Sequence, residues 1–331
     1  MHADRPAVTK QPKCRGVACR RPSTHQLVCA GAVLLAALFH FPVFSAHAAD
    51  IAPRMLLLDG AVVGPDIVVV GERGAILRST DNARTWQTAT TPTGATLTGV
   101  NFAPDGQHGW AVGHDALIVA TADGGRTWSQ QYQGENLQDS FLDVLALDAQ
   151  RVIAVGAYSL FATTANGGRS WVRRKVLAED YHLNRVARGP TGTLYLAGEH
   201  GTLLRSSDSG ETWTSIAAPY DGSFYGIVPL DRRTLVAHGL RGRVYRSIDD
   251  GASWEPVATP QPVLLATALK LKSNFLVFAG QARALLLSRD YGKSLVPSPA
   301  ALITATAELL EIPDGSILAL GEAGATLLAQ P

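Results

Sequence analysis

The sequence predicts an all-β chain folded as a seven-bladed β-propeller, and two observations carry this prediction. A short phrase that ends in tryptophan returns five times, from STDNARTW at residues 79–86 to SIDDGASW at residues 247–254. Its tryptophans lie 42, 43, 42 and 41 residues apart, and a decayed sixth copy, SRDYGKSL, places Leu295 41 residues further on. A period near forty residues is typical of propeller blades. The five tryptophans are Trp86, Trp128, Trp171, Trp213 and Trp254.

The second observation is that each repeat contains enough short apolar runs for four strands. One run, such as residues 67–70, ends in a glycine, and a polar turn leads to a further run, such as residues 75–78. The tryptophan phrase and a last short strand follow, and another run, such as residues 98–102, lies upstream. Apolar and β-branched runs separated by Gly, Asp and Asn indicate strands joined by hairpins. Four such strands make one blade.

The two ends of the repeat array predict how the ring closes. Residues 316–321 and 325–328 form a truncated seventh copy that ends before its tryptophan phrase. Residues 51–57 precede the first strand of blade 1 and have no other role. We therefore expect this N-terminal strand to complete the last blade, which would also remove exposed sheet edges. The prediction is one propeller domain over residues 49–331.

Residues 1–48 have the features of a signal peptide. A basic leader that includes Lys10, Lys13, Arg15, Arg20 and Arg21 precedes an apolar core at residues 27–39, and the small-residue segment Ser-Ala-His-Ala follows at residues 45–48. We expect cleavage after Ala48 and export to the periplasm, or to a lumen of the thylakoid type in a photosynthetic organism. The alternative is a retained membrane anchor. A spanning helix needs about twenty apolar residues, and Pro42 interrupts this run.

Charge and cysteine content exclude several classes of function. Residues 1–48 carry all three cysteines, six of the 29 Lys and Arg residues and one of the 28 Asp and Glu residues. The remainder has no thiol chemistry and carries 23 basic against 27 acidic residues, a formal charge of −4. That charge does not favour nucleic-acid binding. The five remaining histidines lack ligand-pair spacing, so we expect no metal and no cofactor.

The repeated phrase resembles the Asp box, Ser-x-Asp-x-Gly-x-Thr-Trp, of sialidases, sortilin-like receptors and other propellers. Its Asp can accept backbone N–H bonds, its Gly supplies a positive φ, and its Trp packs between blades. We interpret it as structural. Each turn offers one carboxylate, too few for calcium, and Ala83 replaces the Gly in blade 1, which predicts a strained turn there. The polar positions are Asp81, Asp123, Asn166, Asp208, Asp249 and Asp290.

A functional site is expected on the opposite rim, where the turns between the second and third strands differ from blade to blade. The connections between blades emerge on the same rim, and those at residues 130–140, 173–184 and 219–224 are rich in Tyr and acidic residues. The residues predicted to contact a partner are Glu72, Arg73, His114, Asp115, Tyr158, Tyr181, Glu199, His200, Arg241, Arg283 and Glu322.

Catalysis is the alternative function. Glu72 and Glu322 would be neighbours across the ring closure, as in a two-carboxylate glycoside hydrolase. A sialidase-like site would also need three arginines and a tyrosine nucleophile, and the rim offers Arg73, Arg241, Arg283 and Tyr158. No Arg-Ile-Pro phrase of the sialidase type is present near residue 49. The hypotheses left open are a carbohydrate-active or carbohydrate-binding propeller and a non-catalytic binding protein.

The blade pattern resembles the photosystem II stability/assembly-factor-like propellers over residues 55–331. The resemblance rests on Gly-x-x-Gly turns at residues 71–74, 198–201 and 239–242, each followed by a strand and the Asp box. It implies an exported, non-catalytic and monomeric propeller that binds a protein partner belonging to a membrane complex. The family's arginine-rich patch maps loosely onto Arg78, Arg205 and Arg246, which other residues replace in the remaining blades.

Overall fold

The computed structural model describes residues 54–329, which form seven antiparallel sheets. The innermost strand of each sheet contacts the innermost strands of two neighbours, and the last contacts the first, so the sheets form a closed ring. The predicted seven-bladed propeller is confirmed. The predicted signal peptide, residues 1–48, lies outside the described residues.

Blades 1 to 4 each contain four strands that follow one another from the central channel outward. Blade 1 is built of β1 (Leu57–Val63), β2 (Asp66–Gly71), β3 (Ile76–Ser79) and β4 (Gln87–Thr88). Blade 2 is built of β5 (Leu97–Phe102), β6 (Gly109–Gly113), β7 (Leu117–Thr121) and β8 (Ser129–Gln133). Blade 3 is built of β9 (Phe141–Ala146), β10 (Val152–Gly156), β11 (Phe161–Thr164) and β12 (Val172–Arg173). Blade 4 is built of β13 (Leu183–Arg188), β14 (Leu194–Gly198), β15 (Leu203–Ser206) and β16 (Thr214–Ser215).

Blades 5 and 6 repeat this order, whereas blade 7 has three strands in the described residues. Blade 5 is built of β17 (Phe224–Pro229), β18 (Leu235–Gly239), β19 (Val244–Ser247) and β20 (Glu255–Val257). Blade 6 is built of β21 (Leu265–Lys270), β22 (Leu276–Gly280), β23 (Leu285–Ser288) and β24 (Val296–Pro297). Blade 7 is built of β25 (Thr306–Glu311), β26 (Ile317–Gly321) and β27 (Gly324–Leu328). Short 3-10 turns occupy Glu72–Gly74, Leu240–Gly242 and Gln281–Arg283.

The hydrophobic core is divided into seven clusters, one between each pair of neighbouring blades. The Asp-box tryptophan of a blade packs into the cluster that its blade shares with the preceding one. Trp128 of blade 2, for example, packs with Val68 of blade 1 and meets the edge of Phe102 at a centroid distance of 6.0 Å. In blade 6 the buried Leu295 takes this place. The repeated tryptophan therefore stabilises the contact between blades.

Ring closure differs from the prediction. Leu57 is the first residue of β1 and pairs within blade 1, Met55 and Leu56 lie in no strand, and residues 51–53 are outside the described part. Blades 7 and 1 instead join through an apolar cluster that includes Ile67 and Leu320. A Cβ on Gly60 would lie 2.8 Å from Leu310 Cδ1, so a glycine allows this close approach. Apolar packing between the two sheets closes the described ring, and no exchanged strand is needed for it.

The meander of each blade defines two rims. The turns between second and third strands and the connections between blades lie on one, which we call the turn rim. The Asp boxes lie on the other, the Asp-box rim. Two of the three connections are shorter than predicted, because flanking strands take up part of them, whereas the third is longer because β16 ends at Ser215. They span residues 134–140, 174–182 and 216–223.

Candidate functional site

Backbone hydrogen bonds fix the turn rim in all seven blades. In each, the residue after the second strand donates its N–H to the carbonyl of the residue before the first strand. In blade 4, for instance, Glu199 N–H donates to His182 O at 3.0 Å. The other six donors are Glu72, His114, Ala157, Leu240, Gln281 and Glu322. The tips of these turns are thereby held at fixed positions around the channel mouth.

The same close approach explains the glycine that ends every second strand. A Cβ on Gly156 would lie 2.2 Å from Ser140 O, and one on Gly113 would lie 2.1 Å from Thr96 O. Real Cβ atoms do not approach a carbonyl oxygen so closely, so any side chain there would displace the backbone. The glycine is required by space rather than by its dihedral angles, since φ at Gly71 is an extended −174°.

Beyond this glycine, the tips of the turn rim place large side chains on left-handed backbone. The φ values are 57° at Arg73, 53° at Tyr158, 49° at His200 and 57° at Arg241. All four side chains are exposed. Left-handed backbone costs a non-glycine residue about 1–2 kcal/mol, and strained residues of this kind concentrate at functional sites. The Asp-box turns also contain left-handed residues, such as Asn82 and Ser209, so the large exposed side chains rather than the strain distinguish these tips.

Four aromatic rings on blades 3 and 4 form the most distinctive part of the turn rim. Tyr158 lies at 85° to His182, with ring centroids 4.8 Å apart, and Tyr181 stacks on His200 at 4.4 Å. Tyr158 is 67% exposed. We call this set, Tyr158, Tyr181, His182 and His200, the aromatic face. Three of its members come from the predicted rim residues, and His182 from one of the predicted connections.

The connection at residues 174–182 is anchored beneath the aromatic face. Ser159 donates its backbone N–H to Tyr181 O at 2.8 Å, and its hydroxyl bonds to Glu179 O. Glu199 accepts the His182 N–H at 3.0 Å, and its other oxygen lies 3.6 Å from His182 Nδ1. These bonds hold the rings in place before any partner arrives, which lowers the entropy lost on binding.

The remaining predicted residues are distributed around the same rim. One carboxylate oxygen of Glu72 accepts the Leu56 N–H at 3.1 Å. Glu199 likewise uses one carboxylate oxygen to accept a backbone N–H. His114 Nδ1 lies 2.9 Å from Ser140 Oγ. Within the predicted set, the exposed charged side chains that form no ion pair with residues 54–329 are those of Arg73, Asp115, Arg241, Arg283 and Glu322.

Two hollows lie on the arginine-bearing side of the turn rim, on blades 5 and 6. One, of about 500 Å³, is lined by Arg241, Arg243, Tyr245 and Pro262. The other, of about 310 Å³, includes Arg283. The guanidinium of Arg243 lies 5.8 Å from the ring centroid of Tyr220. This half of the rim is basic, in contrast to the aromatic face on blades 3 and 4.

On the Asp-box rim, by contrast, polar side chains bond to their own turn. Asp208 accepts the Thr212 N–H at 2.9 Å and the Thr212 hydroxyl at 2.6 Å, and the latter bond is the main reason its pKa falls to about 2. In blade 3, Asn166 likewise accepts the Ser170 N–H, but its amide nitrogen donates to the Ser170 hydroxyl. Ala83 of blade 1 has φ of 63° where the other boxes have glycine. The boxes are closed local networks.

The three repeated arginines do not form a patch on the turn rim. Arg205 pairs with Asp250 of the next blade at 2.5 Å, and Arg246 donates to Tyr291 O of the next blade at 3.0 Å. Arg78 pairs with Asp66 of its own blade. Each side chain is thus engaged near the Asp-box rim. The structure thus gives each of these three arginines a partner within the fold.

A polar cluster inside the central channel escaped the sequence analysis. Arg185 of blade 4 bonds to Glu308 of blade 7 at 2.5 Å, and since these blades are not neighbours the ion pair crosses the channel. Thr267 donates its hydroxyl to Glu308 at 2.6 Å. Asp59 and Asp143 accept the N–H groups of Val100 and Val186 in the next blades. One sequence signal could have revealed the cluster. Each of the four charged residues, Asp59, Asp143, Arg185 and Glu308, is the third residue of the first strand of its blade, among mostly apolar neighbours.

Burial controls the protonation of this cluster. It raises the pKa of Asp143 to about 6, although the charge of Arg185 opposes the shift. It also raises the pKa of Asp59 well above its ordinary value, and the charge of Glu308 adds to this effect. Burial lowers the pKa of His238 to about 4, so the ring is neutral and its Nδ1–H donates to Leu265 O at 3.0 Å. The cluster links blades across and around the channel.

Two features are not found within the described part of the chain. Residues 54–329 contain no group of three or more His, Cys, Asp or Glu side chains placed to hold a metal ion. The same residues contain no helix of the length and apolarity that a membrane span requires.

Several solved structures have the same architecture as this chain. The structure described as "YCF48 bound to D1 peptide" is 20% identical, with a TM-score of 0.69 over 86% of this chain and 96% of that one. YCF48 from Cyanidioschyzon merolae is 17% identical, with a TM-score of 0.68 over 85% and 97% of the two chains. The extracellular domain of the putative one-component system BT4673 from B. thetaiotaomicron is 12% identical, with a TM-score of 0.65 over 82% of this chain and 38% of that one.

Sequence comparison is more specific than this shared fold. No protein with curated annotation matches the chain significantly. The family described as "Photosynthesis system II assembly factor YCF48" matches residues 77–137 and 132–270, more than half of the sequence. The repeats, the Gly-x-x-Gly turns and this match lead to one conclusion: the chain belongs to the family of the photosystem II assembly factor YCF48.

Proposed function

We propose that this protein is an exported, non-catalytic propeller that binds a segment of a protein partner on its turn rim. The partner would belong to a membrane complex whose assembly or stability the propeller assists. The observation that carries the proposal is the aromatic face, a preorganised and exposed set of rings on a rim whose tips differ from blade to blade. Exposed aromatic residues of this kind are the usual anchors of protein interfaces.

Family membership supports a protein partner. One solved structure with this fold is described as YCF48 bound to a D1 peptide, so a related propeller can hold a peptide. We define the proposed partner by its class: it is a membrane protein with a segment exposed to the compartment that contains the propeller.

Export is the second part of the proposal, and the N-terminal leader supports it. A partner segment reached from the periplasmic or lumenal side requires the propeller to cross the membrane first. Fractionation of cells followed by N-terminal sequencing tests this directly. We expect the mature chain in the exported fraction to begin at Ala49. A chain that keeps residues 1–48 and remains in the membrane would support an anchored protein instead.

Co-purification tests the binding proposal. A tagged protein is isolated from mildly solubilised membranes, and bound proteins are identified by mass spectrometry. We expect a membrane protein to be recovered with the wild type and with an Asp-box-rim control, Arg126→Ala combined with Arg169→Ala. We expect it to be lost with a turn-rim variant, Tyr158→Ala combined with Arg241→Ala. Recovery of the free chain alone, even after crosslinking, would contradict the proposal.

The glycoside hydrolase alternative is tested separately. One oxygen of Glu72 already accepts a backbone N–H, a bond that ties this carboxylate to the fold. We expect no turnover of fluorogenic sialosides or β-glycosides. Turnover that disappears in Glu72→Gln or Glu322→Gln would replace the binding proposal with a catalytic one.

A further inference from the structure

We infer that the aromatic face recognises an extended peptide segment through a lysine or arginine side chain. This inference rests on the proposed function and names the chemistry that its turn rim selects. Three observations carry it: the exposure of the rings, the acidic residues around them, and the basic character of the other half of the rim.

The rings present open aromatic surface to solvent. Tyr158 is 67% exposed although His182 lies against it, so much of its surface is free for a ligand. Two consecutive left-handed residues, Tyr158 and Ser159, hold the side chain outward, and the bonds from Ser159 to residues 179 and 181 fix the turn. A cation within about 6 Å of such a ring is attracted to its electron-rich face.

Acidic side chains lie in the segments that carry or adjoin the face. Glu179 and Asp180 are exposed in the connection that carries Tyr181, and Asp221 is exposed in the next connection, which the blade 4 turn contacts through the Gly201 N–H and Gly222 O. Glu199 lies below the rings and is about one-third exposed. An aromatic surface edged by carboxylates suits a cation, because the ring and the acids attract the same charge.

Nearby basic groups leave most of this negative charge unpaired. Lys175 reaches Asp180 at 3.4 Å, but both side chains are about two-thirds exposed, so the pair is weak. Arg174 points away from the face and bonds to Glu211 and to Gly210 O of blade 4. A basic side chain from a partner would therefore meet an acidic, aromatic surface.

The neighbouring part of the rim, on blades 5 and 6, makes the placement specific. Arg241, Arg243 and Arg283 are exposed on blades 5 and 6, with no ion pair among residues 54–329. A basic side chain would be repelled there and attracted on blades 3 and 4. The rim can thus distinguish the acidic end of a bound peptide segment from its basic end, and the aromatic face binds the basic end.

The test uses the full mature chain and three fluorescein-labelled octapeptides that differ in one pair of residues. The first is Gly-Ser-Lys-Pro-Lys-Ser-Gly-Ser, and norleucine or glutamate replaces both lysines in the others. Fluorescence anisotropy is measured at low and at physiological salt. We expect the lysine peptide to bind about five- to tenfold more tightly than the norleucine peptide, and any binding of the glutamate peptide to be independent of Tyr158.

Variants localise the effect. Tyr158→Ala should weaken binding of the lysine peptide about fivefold or more, Tyr158→Phe should retain it, and Arg169→Ala on the Asp-box rim should not weaken it. Equal binding of the lysine and norleucine peptides, or an unchanged affinity in Tyr158→Ala, would overturn the inference. Binding of a neutral oligosaccharide with the same Tyr158 dependence, in place of the lysine peptide, would also overturn it.

The outcomes separate this inference from the proposed function. If a membrane protein co-purifies through the turn rim but the lysine peptide fails, the charge recognition is wrong and the binding function stands. If the lysine peptide binds through Tyr158 but no partner is recovered, the recognition stands and the proposed membrane partner is wrong.

Discussion

The two rims of this propeller use similar residue types for opposite purposes. On the Asp-box rim, Asp123 bonds to the backbone and hydroxyl of Thr127, and Trp128 packs into the space between blades. On the turn rim, Tyr158 and Arg241 occupy strained backbone positions yet extend into solvent. Side chains that satisfy their own turn stabilise the fold. Side chains held outward at a conformational cost are available for a partner.

This difference teaches that repetition and function separate within each blade. The Asp box recurs because every blade needs the same local network and the same contact with its neighbour. The turn tips need only a glycine before them and a fixed backbone bond, so the tip side chains are free to vary. Substitutions on the two rims should accordingly affect stability on one and binding on the other.

We expect the largest loss of stability on substitution of Arg185. This basic residue forms an ion pair inside the central channel and so stabilises the fold. Arg185→Met would leave Glu308 without its ion pair in the channel. Breaking a buried pair in this way costs about 3–5 kcal/mol of unfolding free energy. Chemical denaturation measures it, with Arg73→Met at an exposed tip as the control. Equal stability of the two variants would mean that the channel cluster does not hold the ring together.

The glycine of the Asp box gives the next effect. Gly125 has φ of +83°, and an added Cβ would lie 2.9 Å from Val68 Cγ2. We expect Gly125→Ala to destabilise the protein by about 2–3 kcal/mol. The reverse change at the matched position of blade 1, Ala83→Gly, should stabilise it by about 0.5–1 kcal/mol. Thermal unfolding of both variants checks the pair, and a stabilising Gly125→Ala would contradict this account of the Asp box.

Asp143 predicts a pH dependence. Its folded pKa of about 6 lies above the ordinary value, so its stabilising contribution is complete below about pH 4 and is lost as the pH rises through 6. The slope reaches at most about 1.4 kcal/mol per pH unit. His238, with its lowered pKa, acts in the opposite direction in wild type and variant alike.

Denaturation of wild type and Asp143→Asn between pH 4 and 7 isolates this contribution, because the His238 effect is common to both. We expect the variant to gain stability relative to the wild type as the pH rises from 4 to 6. Two parallel curves would show that Asp143 keeps an ordinary pKa in the channel.

The smallest expected change in stability is found by substituting one aspartate on each rim. Asp123→Ala removes the acceptor for two backbone N–H groups and two hydroxyls, so we expect a loss of about 1 kcal/mol. Asp123→Asn should be milder, because Asn166 serves the same turn in blade 3. Asp115→Ala at a turn-rim tip should leave the melting temperature unchanged. A loss at Asp115 as large as that at Asp123 would remove the distinction between the rims.

Much of the fold could be predicted from the sequence, because a repeat of about 42 residues reports the blade count directly and Leu295 preserves its spacing. The ring closure could not be predicted in this way. Residues 51–57 are apolar enough to form a strand, whereas the packing of Ile67 against Leu320 joins residues that are far apart in the sequence. The channel cluster was missed for a similar reason. Arg185 and Glu308 are 123 positions apart, and only the curvature of the ring brings them together.

The candidate site was predictable in location but less so in arrangement. Strand order places Tyr158, Tyr181 and His200 on one rim. The pairing of Tyr158 with His182, and the role of Glu199 in holding that ring, depend on side-chain positions that a linear pattern does not encode. The paired arginines show the converse, since Arg205 looks exposed in sequence but is engaged by Asp250 of the next blade.

The most direct test of the central claim is photo-crosslinking from one position on each rim of blade 3. The photoreactive residue p-benzoylphenylalanine replaces Tyr158 on the turn rim or the exposed Arg169 on the Asp-box rim, and intact cells are irradiated. We predict that position 158 yields a crosslinked membrane protein and that position 169 yields none. Crosslinks from position 169 alone, or equal yields from both positions, would contradict the claim that partners bind on the turn rim.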